Sequence, residues 1–306
     1  MKHLRTRWQE AAGRDFVDDL VSRGRSGNGL TVMRSPFGET DAGRLDLRGL
    51  TLPGSAQLRR IAFAPADLGA SVWKGVWLER CTFHEAGFDH ADLRSIAEHG
   101  NGFTGCTFAR SSFRDAAIGY RGSRFESCTF EAADFRGAVF VRPEFNGCEF
   151  HGCKLDGCDL NGSSFDRCRF TGTLRNVWFR GGFPHPDDLE RYGTPRVNGM
   201  KEVSFEAACL RDASFSNACD LSSVKLPHDG RHALITGWLR KLAHLESASR
   251  EWPAPARRTA DLFVASHRVH AVTQDWFIVN RDDLDEEFGI ETAALIWQSI
   301  TTPPAR

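Results

Sequence analysis

A large apolar residue returns at every fifth position through the middle of this chain. The series Phe63, Leu68, Trp73, Leu78, Phe83, Phe88, Leu93 is followed by Glu98 in the same slot, then by Phe103, Phe108, Phe113 and Ile118. Two additional residues precede Phe125, after which Phe130, Phe135, Phe140, Phe145, Phe150, Leu155, Leu160, Phe165 and Phe170 keep the spacing. Neither an α-helix nor a simple strand has a period of five, so the repeat itself sets the architecture. Two positions before the large residue stands a small one, as at Ala66, Ala86, Cys106, Cys128, Ala133, Cys148, Cys153, Cys158, Ser163 and Cys168. Side chains alternate along an extended chain, so the large residue and the small one share the inward face and together fill a narrow interior. Glycine recurs two positions after the large residue, at 105, 137, 147, 152, 157, 162 and 172, where a corner needs positive φ.

The units Ala66-Asp67-Leu68, Ala91-Asp92-Leu93 and Ala133-Asp134-Phe135 resemble the tandem A(D/N)LXX pattern of the pentapeptide-repeat family. The resemblance covers roughly residues 45–226 and implies a mainly β fold, a right-handed quadrilateral parallel β-helix with four units per coil. Residues twenty apart should then stack. Phe125, Phe145 and Phe165 form one expected column, joined by Phe103 across the two-residue insertion, and Phe108, Phe130, Phe150 and Phe170 form the next. Adjacent coils should lie ~4.8 Å apart. The cysteines 106, 128, 148 and 168 fall at the same interval. Their spacing follows the repeat, which reads as buried apolar packing and not as a metal site.

Three regions follow. Residues 1–44 should supply an N-terminal amphipathic helix, from Trp8 through Phe16 to Val21, and a cap, with a Gly/Ser/Arg-rich link over Arg23 to Gly29. A solenoid end exposes strand edges and has to be covered. Residues 45–226 are the repeat body, interrupted at 180–202 by a segment holding three prolines and four glycines. That loop is either a partner contact or a tolerated insertion. The irregularities at Glu98–Gly102 and Gly119–Ser123 read as bulges. Residues 227–306 lose the five-residue period and take helical spacing, with helices expected from Leu234 to Leu245, from Arg257 to Val272 and from Leu284 to Ile300. This subdomain could cap the coil, form a homodimer or bind a partner. His267 and His270 lack an identifiable third ligand and read as an ordinary surface or core pair.

Composition bears on function. Lys plus Arg is 39 and Asp plus Glu is 40, a balance that draws the chain neither to nucleic acid nor to an acidic membrane surface. The first residues show no apolar leader and no run is long enough to span a bilayer, so a cytoplasmic protein with its nine cysteines reduced is expected. No phosphate-binding loop, dinucleotide fingerprint, nucleophile elbow or HExxH motif is present, and no enzyme activity, catalytic residue, metal or cofactor is expected.

The sequence therefore reads as a protein–protein interaction module or scaffold. The family resemblance supplies an alternative: some members imitate B-form DNA, bind type II topoisomerases and give resistance to quinolones or gyrase toxins. The partner would then be DNA gyrase or topoisomerase IV. Residues 45–226 carry 23 acidic and 22 basic residues, so mimicry by the whole coil is not expected. A local acidic patch is the surviving candidate, with Glu126, Glu144 and Asp166 on one wall and Glu131 and Glu149 on its neighbour. In the loop, Asp187, Asp188, Arg191 and Tyr192 are the candidate contacts. An independent activity in the C-terminal segment is the third reading.

Overall fold

The computed structural model describes residues 2–302, and the chain winds as a parallel coil with four walls. The first wall is a sheet of seven parallel strands running from Leu30–Val32 and Ile61–Phe63 to Ser164–Asp166. The second contains Thr129–Glu131, Glu149–His151, Arg169–Arg175 and Ser204–Arg211. The third is held by single bridges that step from Thr51 through Val72, Asp92, Ser112 and Asp134 to Lys154. The fourth is a five-stranded sheet from Gln57–Arg59 to Val139–Phe140, prolonged by three strands from Asp159–Leu160 to Ser214–Ser216.

The expected columns are present. Phe103, Phe125, Phe145 and Phe165 are successive register partners on the first wall, as are Phe130, Phe150 and Phe170 on the second. Their rings stack nearly parallel, with centroids 4.7 Å apart for Phe103 and Phe125 and 4.9 Å apart for Phe130 and Phe150. The separation is the strand spacing itself, so backbone pairing and ring stacking reinforce each other. Each column cysteine donates its S–H to a carbonyl of the preceding coil, as Cys128 does to Phe103 O (3.4 Å) and Cys148 to Phe125 O (3.3 Å). Burial pushes the thiols of Cys153 and Cys158 up to about 12, which keeps them protonated.

The repeat outlasts the five-residue spacing. One residue is dropped after Phe170, and the coil continues through Leu174, which pairs with Leu210, and Phe179, which pairs with both Leu160 and Phe215. Glycine also proves to be only one way to turn the corner. Arg60, Arg80 and Arg142 adopt the same left-handed backbone, with φ of 55°, 53° and 50°. The closure of the coil imposes this conformation whatever residue stands there.

The two irregularities are one feature. Glu98 occupies the centre slot with only 1% exposure, accepting from Asn101 Nδ2 (2.8 Å) and from Gly119 N (2.6 Å). The register of the fourth wall shifts between Ala117 and Tyr120 so that the inserted segment delivers the Gly119 N–H to the carboxyl. An ideal Cβ on Gly119 would lie 2.5 Å from Pro143 Cδ, so only glycine fits. Burial pushes Glu98 up to about 7.

Both ends of the coil are covered. At the N-terminus α1 (Lys2–Thr6) leads through a short 3₁₀ turn into α2 (Ala11–Ser26). The helix therefore starts after Trp8 and runs through the expected link as far as the left-handed Gly27. Trp8 Nε1 donates to Arg48 O (2.8 Å), and Arg7 and Arg48 both grip the buried Asp46. Burial raises the Asp46 pKa, but the hydrogen bonds from Arg48 and Arg7 outweigh it and hold the carboxyl well below the usual range.

Beyond the loop's own α3 (Asp187–Tyr192), the C-terminal segment corrects two expectations. Leu234 and Ile235 belong to a strand, His232–Thr236, that pairs antiparallel with Trp276–Asn280, and the helix α4 begins only at Trp238 and ends at Ala248. After α5 (Ala254–Ala271), the expected final helix is two, α6 (Arg281–Phe288) and α7 (Ile290–Thr301), divided at Gly289 with φ 75° and ψ 152°. These elements share their own core around Trp238, Leu242, Phe263 and Ile296. They dock on the last coil: His232 Nε2 accepts from Leu210 N (3.2 Å) and Asn280 Nδ2 donates to Leu210 O (2.6 Å), satisfying an exposed strand edge.

Candidate interaction surface

Each strand of the coil sends its centre residue inward and the residues on either side outward, so the outer walls are read from those flanking positions. On the first wall Arg124, Glu144 and Ser164 form one outer row, and Glu126, Asn146 and Asp166 form the other. On the second wall Glu149 lies between Thr129 and Arg169, and Glu131 lies beside His151. The five acids thus fall on the two walls expected.

They do not form a continuous negative field. Glu144 lies 3.6 Å from Arg124 and 3.9 Å from Arg196. Asp166 lies 3.6 Å from Arg167 and 3.5 Å from Arg196. Glu149 bonds His151 at 2.8 Å. Among the described residues Glu126 and Glu131 have no ion-pair partner, and both are exposed. The third wall neutralises itself: Asp92 pairs with Arg94 and Asp134 with Arg136, both at 2.7 Å, and these hydrogen bonds lower the pKa of each carboxyl.

The loop at 180–202 folds back on the coil as a strap. Tyr192 meets Tyr120 edge-on with ring centroids 5.5 Å apart, Phe183 lies 5.9 Å from Tyr192, and Arg142 Nη1 donates to Thr194 O (3.1 Å). Arg196 then reaches across to the first-wall acids. Asn198 replaces the small inward residue of the next coil, accepting from Phe165 N (3.0 Å), and Met200 enters the core. Of the loop candidates, Asp187 and Arg191 are exposed on α3 and Asp188 is half-buried, whereas Tyr192 is turned to the coil and holds the strap down. Loop and first wall therefore form one surface. Glu131 and Glu149 belong to the second wall and stand outside it.

Sequence reasoning missed an external aromatic row on the fourth wall. Trp77 stacks on His99 at 4.0 Å, His99 meets Tyr120 at 5.2 Å, and Tyr120 meets Tyr192. Trp77 and His99 flank the centre slots Leu78 and Glu98, which was a usable signal. The strap's choice of Tyr120 was not readable, because it depends on how the loop closes.

The family described as pentapeptide repeats matches residues 121–157 and 144–173, with eight copies. The matched units are those whose phenylalanines stack in register here. The chain carries pentapeptide repeats over residues 121–173. No curated protein is similar enough to this pentapeptide-repeat chain to match it. Among solved structures, it is similar to a trypsin-treated variant of QnrB1, a plasmid-mediated fluoroquinolone resistance protein, at 16% identity and a TM-score of 0.39, covering 65% of this chain and 85% of that one. It is also similar to HetL, a pentapeptide-repeat protein involved in heterocyst differentiation regulation from the cyanobacterium Nostoc, at 14% identity and a TM-score of 0.32, covering 66% of this chain and 88% of that one. These overlays are loose, and the assignment of the repeats rests on the matched residues and the coil.

Among the described residues no helix is long and apolar enough to cross a membrane.

Proposed function

We propose that this pentapeptide-repeat protein is a non-enzymatic interaction module that presents the first wall and its strap to a protein partner. One observation carries the reading: the coil interior is filled by stacked side chains, with Phe83, Phe108, Phe130 and Phe179 at 1% exposure or less. Only the outer surface remains for recognition, and it carries the exposed Glu126, Asp187 and Arg191 as well as the paired charges of Glu144, Asp166 and Arg196. A rigid surface of interleaved charges suits a partner of complementary mixed charge. The pairing of Glu144, Asp166 and Glu149 favours such a contact over imitation of a polyanion.

The test is affinity capture from a soluble lysate with the intact chain and with a Glu126→Arg/Asp187→Lys/Arg191→Glu triple variant. The reading expects a protein retained by the first and lost from the second. Equal retention by both would move the contact elsewhere. DNA gyrase and topoisomerase IV belong in the same experiment as purified candidates. A supercoiling assay with and without a quinolone, showing neither inhibition nor protection at micromolar protein, would remove the topoisomerase reading and leave the general one standing.

A further inference from the structure

One cleft, of about 230 Å³, is walled jointly by the last coil and the C-terminal segment. We propose that it binds a small organic cation, an ammonium or guanidinium group on an apolar stem. The inference stands apart from the interaction reading, because the cleft shares no residue with the first wall or the strap.

Three features of the cleft select that chemistry. Its floor is aromatic: Phe277 stacks on the buried Trp238 at 4.3 Å, and His267 lies between Phe263 (4.1 Å) and Phe277 (5.1 Å). Trp178, on the coil side, carries the Arg180 guanidinium 3.9 Å above its ring, so a cation already takes one of its faces. The charged groups are carboxylates. Asp212, Asp283 and Glu287 line the cleft; Asp283 is paired with Arg211 and Asp212 with Arg175, which leaves Glu287 as the lining carboxylate without an ion-pair partner among the described residues. Burial, and then the nearby Asp212 and Asp283 carboxylates, push Glu287 above its ordinary value, so a cation placed there would relieve a real repulsion.

The third feature is independent of the acids. Gln274 lines the cleft at 2% exposure, and its Nε2 is fixed by Cys219 O (2.7 Å) and Trp276 O (3.0 Å). That leaves its Oε1 as a buried acceptor without a donor. Such an orphan costs free energy until an N–H or O–H reaches it. His267 does not oppose a cation. Its Nδ1–H donates to Phe263 O (2.9 Å) and burial lowers its pKa, so the ring stays neutral.

A free amine and a Lys or Arg side chain of another protein share this chemistry, and the experiment separates them. The intact protein is titrated calorimetrically with 2-phenylethylamine, with its neutral isostere 2-phenylethanol and with 3-phenylpropanoate. A parallel arm uses lysine and arginine blocked at both backbone ends. The amine should bind at least about tenfold more tightly than the alcohol, and the anion should not bind. Binding of the free amine alone assigns a small-molecule ligand, and binding of the blocked amino acids assigns a side chain. Glu287 is exposed at the mouth, so Glu287→Gln leaves the fold intact and should weaken the cation roughly fivefold. Equal binding of amine and alcohol, no binding of any cation at millimolar concentration, or an affinity unchanged in Glu287→Gln would overturn the proposal.

Discussion

Glu98 is the residue at which the repeat departs from its own rule, and it makes stability depend on pH. Its carboxyl ionises at about 7 in the folded coil and near 4.5 in the unfolded chain. Between those values the folded state holds a proton that the unfolded state has released, so stability falls as pH rises through this window. The stabilisation is complete below about pH 4.5 and gone above about pH 7. The gap corresponds to roughly 3 kcal/mol at most. Urea unfolding should therefore give a lower midpoint at pH 8 than at pH 5, and Glu98→Gln should flatten that slope. A slope identical in both proteins would show that Glu98 does not titrate in this range. Phe130 represents the opposite case, a residue that obeys the rule. It stacks on Phe108 and Phe150 at 4.8 and 4.9 Å and is 1% exposed. Phe130→Ala should cost about 3–5 kcal/mol, read from the same denaturation curves, with the lost stacking on both sides placing it at the upper end.

At the scale of elements, the strap is held by a few side chains and the coil by continuous backbone ladders. Arg196 joins the strap to Glu144 and Asp166, and Tyr192 joins it to Tyr120. Arg196→Glu would set a third carboxylate against two others. Cleavage within 180–202 by a protease should become faster, while global stability changes by less than about 1 kcal/mol, since exposed ion pairs contribute little. An unaltered cleavage rate would mean that Tyr192 and Arg142 suffice to hold the segment. The positions of Glu126, Glu144 and Asp166 on one wall were legible because a period of five determines which face each residue takes. Their neutralisation was not, because Arg196 lies 30 residues beyond Asp166 and 52 beyond Glu144 and reaches them only through the path of the loop.

At the scale of the whole molecule, stability depends on closing two open strand edges. α1, α2 and the 3₁₀ turn between them close one, the turn's Arg7 and Trp8 binding Asp46 and the Arg48 carbonyl of the coil. The strand and helices after residue 231 close the other, with His232 and Asn280 taking up the Leu210 amide and carbonyl. A chain ending at residue 226 would strip the strand Ser204–Arg211 of the His232 and Asn280 side chains that take up its Leu210 amide and carbonyl, leaving that end of the edge open. It should self-associate through that edge, seen as high-mass species in size-exclusion chromatography with light scattering. A monodisperse truncated protein with an unchanged melting temperature would contradict this.

What the amino-acid order determined alone was the coil: the interior admits one large and one small side chain per wall, and that steric demand is written at every repeat. Tertiary structure decided everything that repetition does not constrain. Leu234 and Ile235 read as the start of a helix because they adjoin a helical run, yet they pair with Phe277 and Ile278, more than 40 residues away. The Glu98 carboxyl finds its donor in the next coil's insertion. The cleft exists only where Trp178 and Asp212 of the coil meet Gln274 and Glu287 of the C-terminal segment. Local spacing carries no information about such encounters, since they are set by the packing of two bodies whose sequences follow different periods.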